Sequence, residues 1–78
     1  MGRVTEENRF LKAVGKRLGD TRRRKRITQA ALARRLRITT VYVSHIENGH
    51  RTPNLLTLRD WVQEGLGTTM DKIFRGLR

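Results

Sequence analysis

The sequence predicts an all-α domain of five helices. Apolar residues recur three and four positions apart, which places them on one face of a helix, and no segment shows the signals of a strand. Residues that cap helices, or a glycine, mark most of the boundaries between these segments. With 78 residues and no cysteine, the chain is predicted to form one domain over residues 1–78. Its core is modest and has no disulfide or thiolate zinc site to support it.

The first helix is predicted over about residues 6–25, after a short basic tail at residues 1–5. Acidic residues at its start and arginines at its end complement the helix dipole. The apolar stripe that begins at Leu11 reaches Arg22 on the same inward face. Because an unpaired buried charge is very costly, Arg22 needs a carboxylate. Glu47 of the third helix is the best placed one, so we expect a structural Arg22–Glu47 ion pair.

Two short helices follow within residues 28–48, separated by only about three residues, which is typical of a helix-turn-helix. Thr28 caps the first of them and Thr39 caps the second. Gly49 is the residue expected where a helix ends in the left-handed conformation. The outer face of the second presents small donors, acceptors and a methyl surface suited to base edges in a groove. These residues are Thr40, Val41, Ser44 and His45.

Two more helices are predicted, with N-caps at Asn54 and Thr69. Trp61 lies on the apolar stripe of the fourth, and we interpret it as a core residue. The C-terminal part has spare apolar residues and little charge, so residues 66–78 are predicted to form a dimer contact. The alternative is that its apolar residues only close the core of the monomer. They are Leu66, Met70, Phe74 and Leu77.

Positive charge is concentrated in the first half of the chain. Residues 1–37 hold 13 basic and 3 acidic groups, against 5 and 4 in residues 38–78, and the whole chain carries +11. A cationic half favours a polyanion, most often nucleic acid, with an anionic membrane surface as the competing interpretation. No apolar run could span a membrane and no secretory signal begins the chain, so a cytoplasmic location is expected.

Nothing in the sequence indicates catalysis. It contains no nucleophile–base pair, no paired carboxylates and no metal-ligand spacing, so we expect no enzyme activity, no cofactor, no metal and no small-molecule ligand. His45 and His50 are five residues apart, a spacing that does not place them on one helical face.

One long run of residues is in register across the central helices: Arg22…Thr28-Gln29-x-x-Leu32-Ala33…Val43-Ser44-x-Ile46-Glu47-Asn48-Gly49-x-Arg51-x-Pro53. This run resembles the Cro/C1-type (XRE) helix-turn-helix family, and the likeness covers roughly residues 10–75. Within the family, Tyr42-Val43-Ser44-x-Ile46-Glu47 with Arg51-Thr52-Pro53-Asn54 looks most like controller proteins of restriction–modification systems. Phage repressors and Cro proteins look nearly as similar. Arg26 and Arg37 stand where the family often has glycine.

The resemblance implies a five-helix Cro/C1 (lambda-repressor-like) fold and a homodimer that regulates transcription from palindromic operators in double-stranded DNA. The third helix then enters the major groove, where Thr40, Val41, Ser44 and His45 read bases and Tyr42 lies at the groove wall or packs on the second helix. The resemblance also implies phosphate contacts for Gln29, Thr39 and Asn48, to which we add the basic residues Arg51, Arg17 and Arg35. Two other functions stay open, a sequence-tolerant nucleic-acid binder and an antitoxin-like protein adaptor.

Overall fold

The computed structural model describes residues 2–77, with side chains from Thr5 onward. Its helices are α1 (Gly2–Arg24), α2 (Gln29–Leu36), α3 (Thr40–Glu47), α4 (Leu55–Asp60), which continues as a π-helical segment (Trp61–Gly65), and α5 (Met70–Phe74). No strand occurs between residues 2 and 77. The predicted all-α fold with five helices is confirmed.

The start of the first helix was placed wrongly by the sequence. α1 begins at Gly2, so residues 2–5, predicted as a basic tail, belong to the helix. The acidic residues at the predicted start only favour a helix start there, and no proline precedes them to stop the helix from extending further towards the N-terminus.

The core lies where α1, α2, α3, the π-helical segment and α5 meet. Trp61 is fully buried, as predicted from its place on the apolar stripe. The other buried apolar residues come from every helix except α4: Val14, Leu18, Leu32, Ala33, Val43, Ile46, Val62, Leu66 and Ile73. Leu66 is only 2 % exposed, so its prediction as a dimer-contact residue is wrong. It directly follows the π-helical segment, and its N–H donates to the Trp61 carbonyl at 2.9 Å.

The predicted N-caps are present at all four positions. The side chains of Thr28, Thr39, Asn54 and Thr69 each accept a hydrogen bond from the backbone N–H three residues later, at 2.9–3.2 Å. Each cap satisfies one donor that the first turn of a helix leaves without an intrahelical partner. These four residues therefore fix where the short helices begin.

The two turns that flank α2 use arginine in a conformation that favours glycine. Arg26 has φ 58° and Arg37 has φ 57°. The left-handed conformation costs a non-glycine residue about 1–2 kcal/mol. Both turns therefore keep the left-handed backbone, although arginine stands where the family often has glycine. Gly49, at the end of the α3 region, has φ 75° as predicted.

Glycine lets α1 approach α3 closely, and this contact sets the position of α3. A Cβ on Gly15 would meet the backbone carbonyl oxygens of Ile46 and Glu47, the latter at 2.7 Å. A Cβ on Gly19 would come within 3.2 Å of the Glu47 carboxylate. The last turn of α3 thus rests directly on the backbone of α1.

Candidate nucleic-acid interface

One side of α3 packs in the core and the other faces solvent. Val43 and Ile46 are 0 % and 2 % exposed, whereas Val41 is 63 % exposed. The predicted reading residues lie on the outer side: Thr40 and Val41 are exposed, and Ser44 and His45 are half-buried. This arrangement presents a methyl surface, two hydroxyls and an imidazole together, which are groups that can contact base edges.

Tyr42 is placed differently from the other four. Its side chain is half-buried and packs against the core, and its ring centre lies 6.3 Å from that of Trp61. Tyr42 and the buried Ile46 are one helical turn apart, so they share the inward side of α3. The ring of Tyr42 therefore contacts the scaffold, and its place at the groove wall stays a prediction.

The C-terminal end of α3 is tied to the following loop. The Asn48 side-chain amide donates to the Ser44 carbonyl at 2.9 Å and to the Ser44 hydroxyl at 3.3 Å. The rings of His45 and His50 lie 6.1 Å apart. The five-residue spacing did not predict this contact, because α3 ends at Glu47 and the turn after it places His50 beside His45.

Thr39, Gln29 and Arg51 keep groups that could contact a phosphate. The Thr39 hydroxyl accepts the cap hydrogen bond, so its hydrogen is still available for donation. Gln29 donates one amide N–H to Glu47 at 3.0 Å, and the side chain of Arg51 is exposed.

Arg17 and Arg35, in contrast, bind backbone carbonyls of the scaffold. Arg17 donates to the carbonyls of Ile73 and Arg75 at 2.9 and 3.0 Å, at the end of α5. Arg35 donates to the Gly65 carbonyl at 2.9 Å. Both join elements of the scaffold through one guanidinium nitrogen, Nη1, and their predicted phosphate contacts stay predictions.

Arg22 and Glu47 form the predicted ion pair between α1 and α3. The Arg22 Nε donates to Glu47 Oε2 at 2.6 Å, and Nη2 donates to Oε1 at 3.1 Å. The third guanidinium nitrogen donates to the Ile27 carbonyl at 2.8 Å. The side chains are 9 % and 6 % exposed. Such a bidentate pair fixes the orientation of α3 relative to α1.

Comparison with known protein families matches residues 18–73 to the helix-turn-helix family, of the Cro/C1 (XRE) type. The chain belongs to this helix-turn-helix family. The matched residues are well over half of the chain and run from the last two turns of α1 into α5. Neither the curated proteins nor the solved structures gave a match.

Membership in the helix-turn-helix family gives the chain a DNA-binding regulatory domain, of a kind that is not catalytic. Double-stranded DNA is accordingly its partner, and the protein is a DNA-binding transcriptional regulator. None of the described helices is both long and apolar enough to cross a membrane.

One part of the helix-turn-helix surface was missed by the sequence reasoning. A polar cleft of about 500 Å³ lies beside the C-terminal end of α3. A hydrogen bond from Lys16, together with a smaller effect of one from Arg23, holds the pKa of the nearby Asp20 below its ordinary value. The i, i+4 spacing of Lys12 and Lys16 on α1 could have indicated this basic edge, but His50 joins it only through the turn. The lining residues are Lys12, Lys16, Arg23, Gln29, Glu47, Asn48 and His50.

Proposed function

We propose that this protein is a sequence-specific transcriptional regulator that binds a palindromic operator as a homodimer. The observation that carries the proposal is the two-sided α3: its inner side is buried and held by the Arg22–Glu47 pair, and its outer side presents a compact polar and methyl surface. A reading helix must be rigid, because small displacements would misalign several base contacts at once.

Four side chains are assigned to base reading. Val41 is exposed and suits the methyl group of thymine, whereas Thr40, Ser44 and His45 can donate to or accept from base edges. Thr39, Gln29, Asn48 and Arg51 remain the candidates for backbone phosphate contacts. Tyr42, Arg17 and Arg35 lie outside this proposed interface, because their side chains contact the scaffold.

A homodimer is proposed because α3 is short. Its eight residues extend about 12 Å, so one copy reads only a few base pairs, and a two-fold dimer places two such helices about one DNA turn apart. Met70, Phe74 and Leu77 are half-buried at one end of the domain, and Phe10, 40 % exposed, stacks on Phe74 with ring centres 6.4 Å apart. We propose this surface as the dimer contact.

The α4 start offers the alternative dimer surface. Leu55 and Leu56 are 73 % and 64 % exposed. Both are more exposed than the apolar residues at the α5 end, where Phe10 is 40 % exposed. Sedimentation equilibrium separates the two: Phe74→Ala should weaken the dimer, and Leu55→Ser with Leu56→Ser should leave it intact. The reverse result would move the contact to α4.

Within the family, we propose that the protein is a controller of a restriction–modification system. The segments Tyr42–Glu47 and Arg51–Asn54 carry this assignment, and a phage-type regulator is the alternative. Locating the selected operator in the source genome distinguishes them. An operator in front of restriction or modification genes supports the controller role, and one among phage genes overturns it.

The test of specific recognition is selection of binding sites from random duplex DNA at roughly physiological salt. We expect a palindromic consensus that is bound about 10³-fold or more tightly than scrambled DNA. Ser44→Ala and His45→Ala should each cost about 1–3 kcal/mol on the consensus only. Gln63→Ala, at an exposed position on the π-helical segment, is the control. Equal binding to all sequences would mean that only phosphates are read, and specific regulation would be refuted.

A further inference from the structure

The polar cleft beside α3 lies between three elements: the middle of α1, the start of α2 and the end of α3. Two lysines and an arginine line it on the α1 side, namely Lys12, Lys16 and Arg23, and His50 lines it on the loop side. Its volume of about 500 Å³ leaves room for a phosphate group together with ordered water.

Positive charge exceeds negative charge around the cleft. Lys16 and Arg23 share one carboxylate, that of Asp20, at 2.9 and 2.7 Å. Lys12 has no acidic partner in the described part of the chain. Glu47 is already neutralised by the buried pair with Arg22. The three cations of the cleft and the carboxylate of Asp20 therefore give a net charge of +2, without any contribution from His50.

The C-terminal end of α3 does not account for these cations. A helix C-terminus carries roughly half a negative charge, which is less than the excess. The terminal carbonyls also have their own donors: His50 N–H donates to the His45 carbonyl at 2.8 Å, and Gly49 N–H donates to the Ile46 carbonyl at 3.1 Å. The lysine side chains are accordingly not needed to satisfy the end of the helix.

The cleft begins where the reading face of α3 ends. His45 on that face lies against His50, and Asn48, bonded to Ser44, lines the cleft. The length of α3, about 12 Å, is close to the major-groove width of about 12 Å. When the N-terminal part of α3 is in the groove, its C-terminal end comes to the sugar–phosphate strand at the groove edge.

We propose that this cleft binds a backbone phosphate of duplex DNA at the edge of the major groove. Lys12, Lys16 and Arg23 supply the positive charge, and the side chains of Asn48 and His50 supply further donors. Asp20 competes with the phosphate for Lys16 and Arg23. This inference rests on the proposed placement of α3 in the groove, but it does not require a specific operator sequence.

The experiment measures the dependence of DNA affinity on salt for two single variants of the full chain, Lys12→Gln and Lys16→Gln. The probe is a duplex of about two helical turns, roughly 20 base pairs, with an arbitrary sequence. Each lost phosphate contact should lower the slope of log K against log salt by about 0.9, so affinity should vary about 3- to 4-fold less between 50 and 200 mM salt. Lys72→Gln, exposed on α5, makes the same change of charge and is the control.

A second variant acts in the opposite direction. Asp20→Asn releases Lys16 and Arg23, so the arbitrary duplex should bind more tightly and with a steeper salt dependence. Asp71→Asn is the matched control, because Asp71 pairs with Arg75 on α5 and its loss adds the same charge away from the cleft.

Thermal unfolding of each variant shows whether it is folded at the temperature of the binding assay. The inference is overturned if the lysine variants change the slope no more than Lys72→Gln does, or if Asp20→Asn behaves like Asp71→Asn. If the selection experiment gives no consensus but the lysine variants still lower the salt slope, specific regulation is refuted and phosphate binding by the cleft is supported.

Discussion

Replacing Glu47 by alanine should destabilise the protein strongly. The carboxylate accepts two hydrogen bonds from Arg22, at 2.6 and 3.1 Å, and one from Gln29 at 3.0 Å. Removing it leaves a guanidinium whose side chain is 9 % exposed without its counter-ion. Removing one partner of such a buried pair costs about 3–5 kcal/mol.

That loss is large relative to the whole stability of a domain of this size. At about 0.05–0.15 kcal/mol per residue, the 78 residues have a free energy of unfolding of roughly 4–12 kcal/mol. A loss of 3–5 kcal/mol lowers the melting temperature by roughly 12–40 °C, at about 4–8 °C per kcal/mol. Circular dichroism during thermal and urea unfolding measures both quantities.

A double variant keeps the reasoning testable even if Glu47→Ala does not fold. Arg22→Met with Glu47→Leu removes both charges and fills the space with apolar atoms, so it should recover most of the lost stability. A loss below about 1 kcal/mol for Glu47→Ala would be the value of an exposed ion pair and would refute a buried, structural role. A double variant no more stable than Glu47→Ala would mean that packing, and not the unpaired charge, dominates the loss.

Four further outcomes test the local structure, each by urea unfolding with the wild-type protein beside it. Thr39→Ala should lose about 1 kcal/mol with the cap of α3, and Thr39→Ser should keep it; equal loss in both would contradict the cap. Arg37→Gly should gain roughly 0.5–1 kcal/mol, because glycine relieves the left-handed φ at some entropic cost, and a loss would contradict strain at that turn. Gly15→Ala should lose about 1–3 kcal/mol, because its Cβ meets backbone oxygens that cannot move aside; an unchanged midpoint would show that α1 and α3 can separate there. The folded-state pKa of Asp20 is lowered, so the stabilisation from its ion pairs is present above the ordinary pKa of 3.8 and is lost as the pH falls through the lower folded-state pKa. Asp20→Asn should therefore lose less stability in acid than the wild-type protein. An identical dependence of stability on pH would contradict the pairing.

The sequence by itself determined the features that depend on spacing along the chain. The caps at Thr28, Thr39, Asn54 and Thr69 follow from a side chain meeting an N–H three residues later. The apolar stripes follow from the helical period, and they placed Arg22 on the inward side with Glu47 as its partner. These interactions are local, or involve one charge that has few possible partners, so the order of residues is sufficient to predict them.

Only the tertiary structure decided which residues on neighbouring helices meet. The sequence spacing of Arg17 and Arg35 is compatible with a contact to DNA or to the scaffold. The positions of the α5 and Gly65 carbonyls give each of them a scaffold partner. Leu66, which directly follows the π-helical segment, lies in the core and not on the surface. The polar cleft requires α1 and the turn after α3 to lie side by side. Such contacts depend on how closely the helices pack, and side-chain spacing within one helix carries no information about that distance.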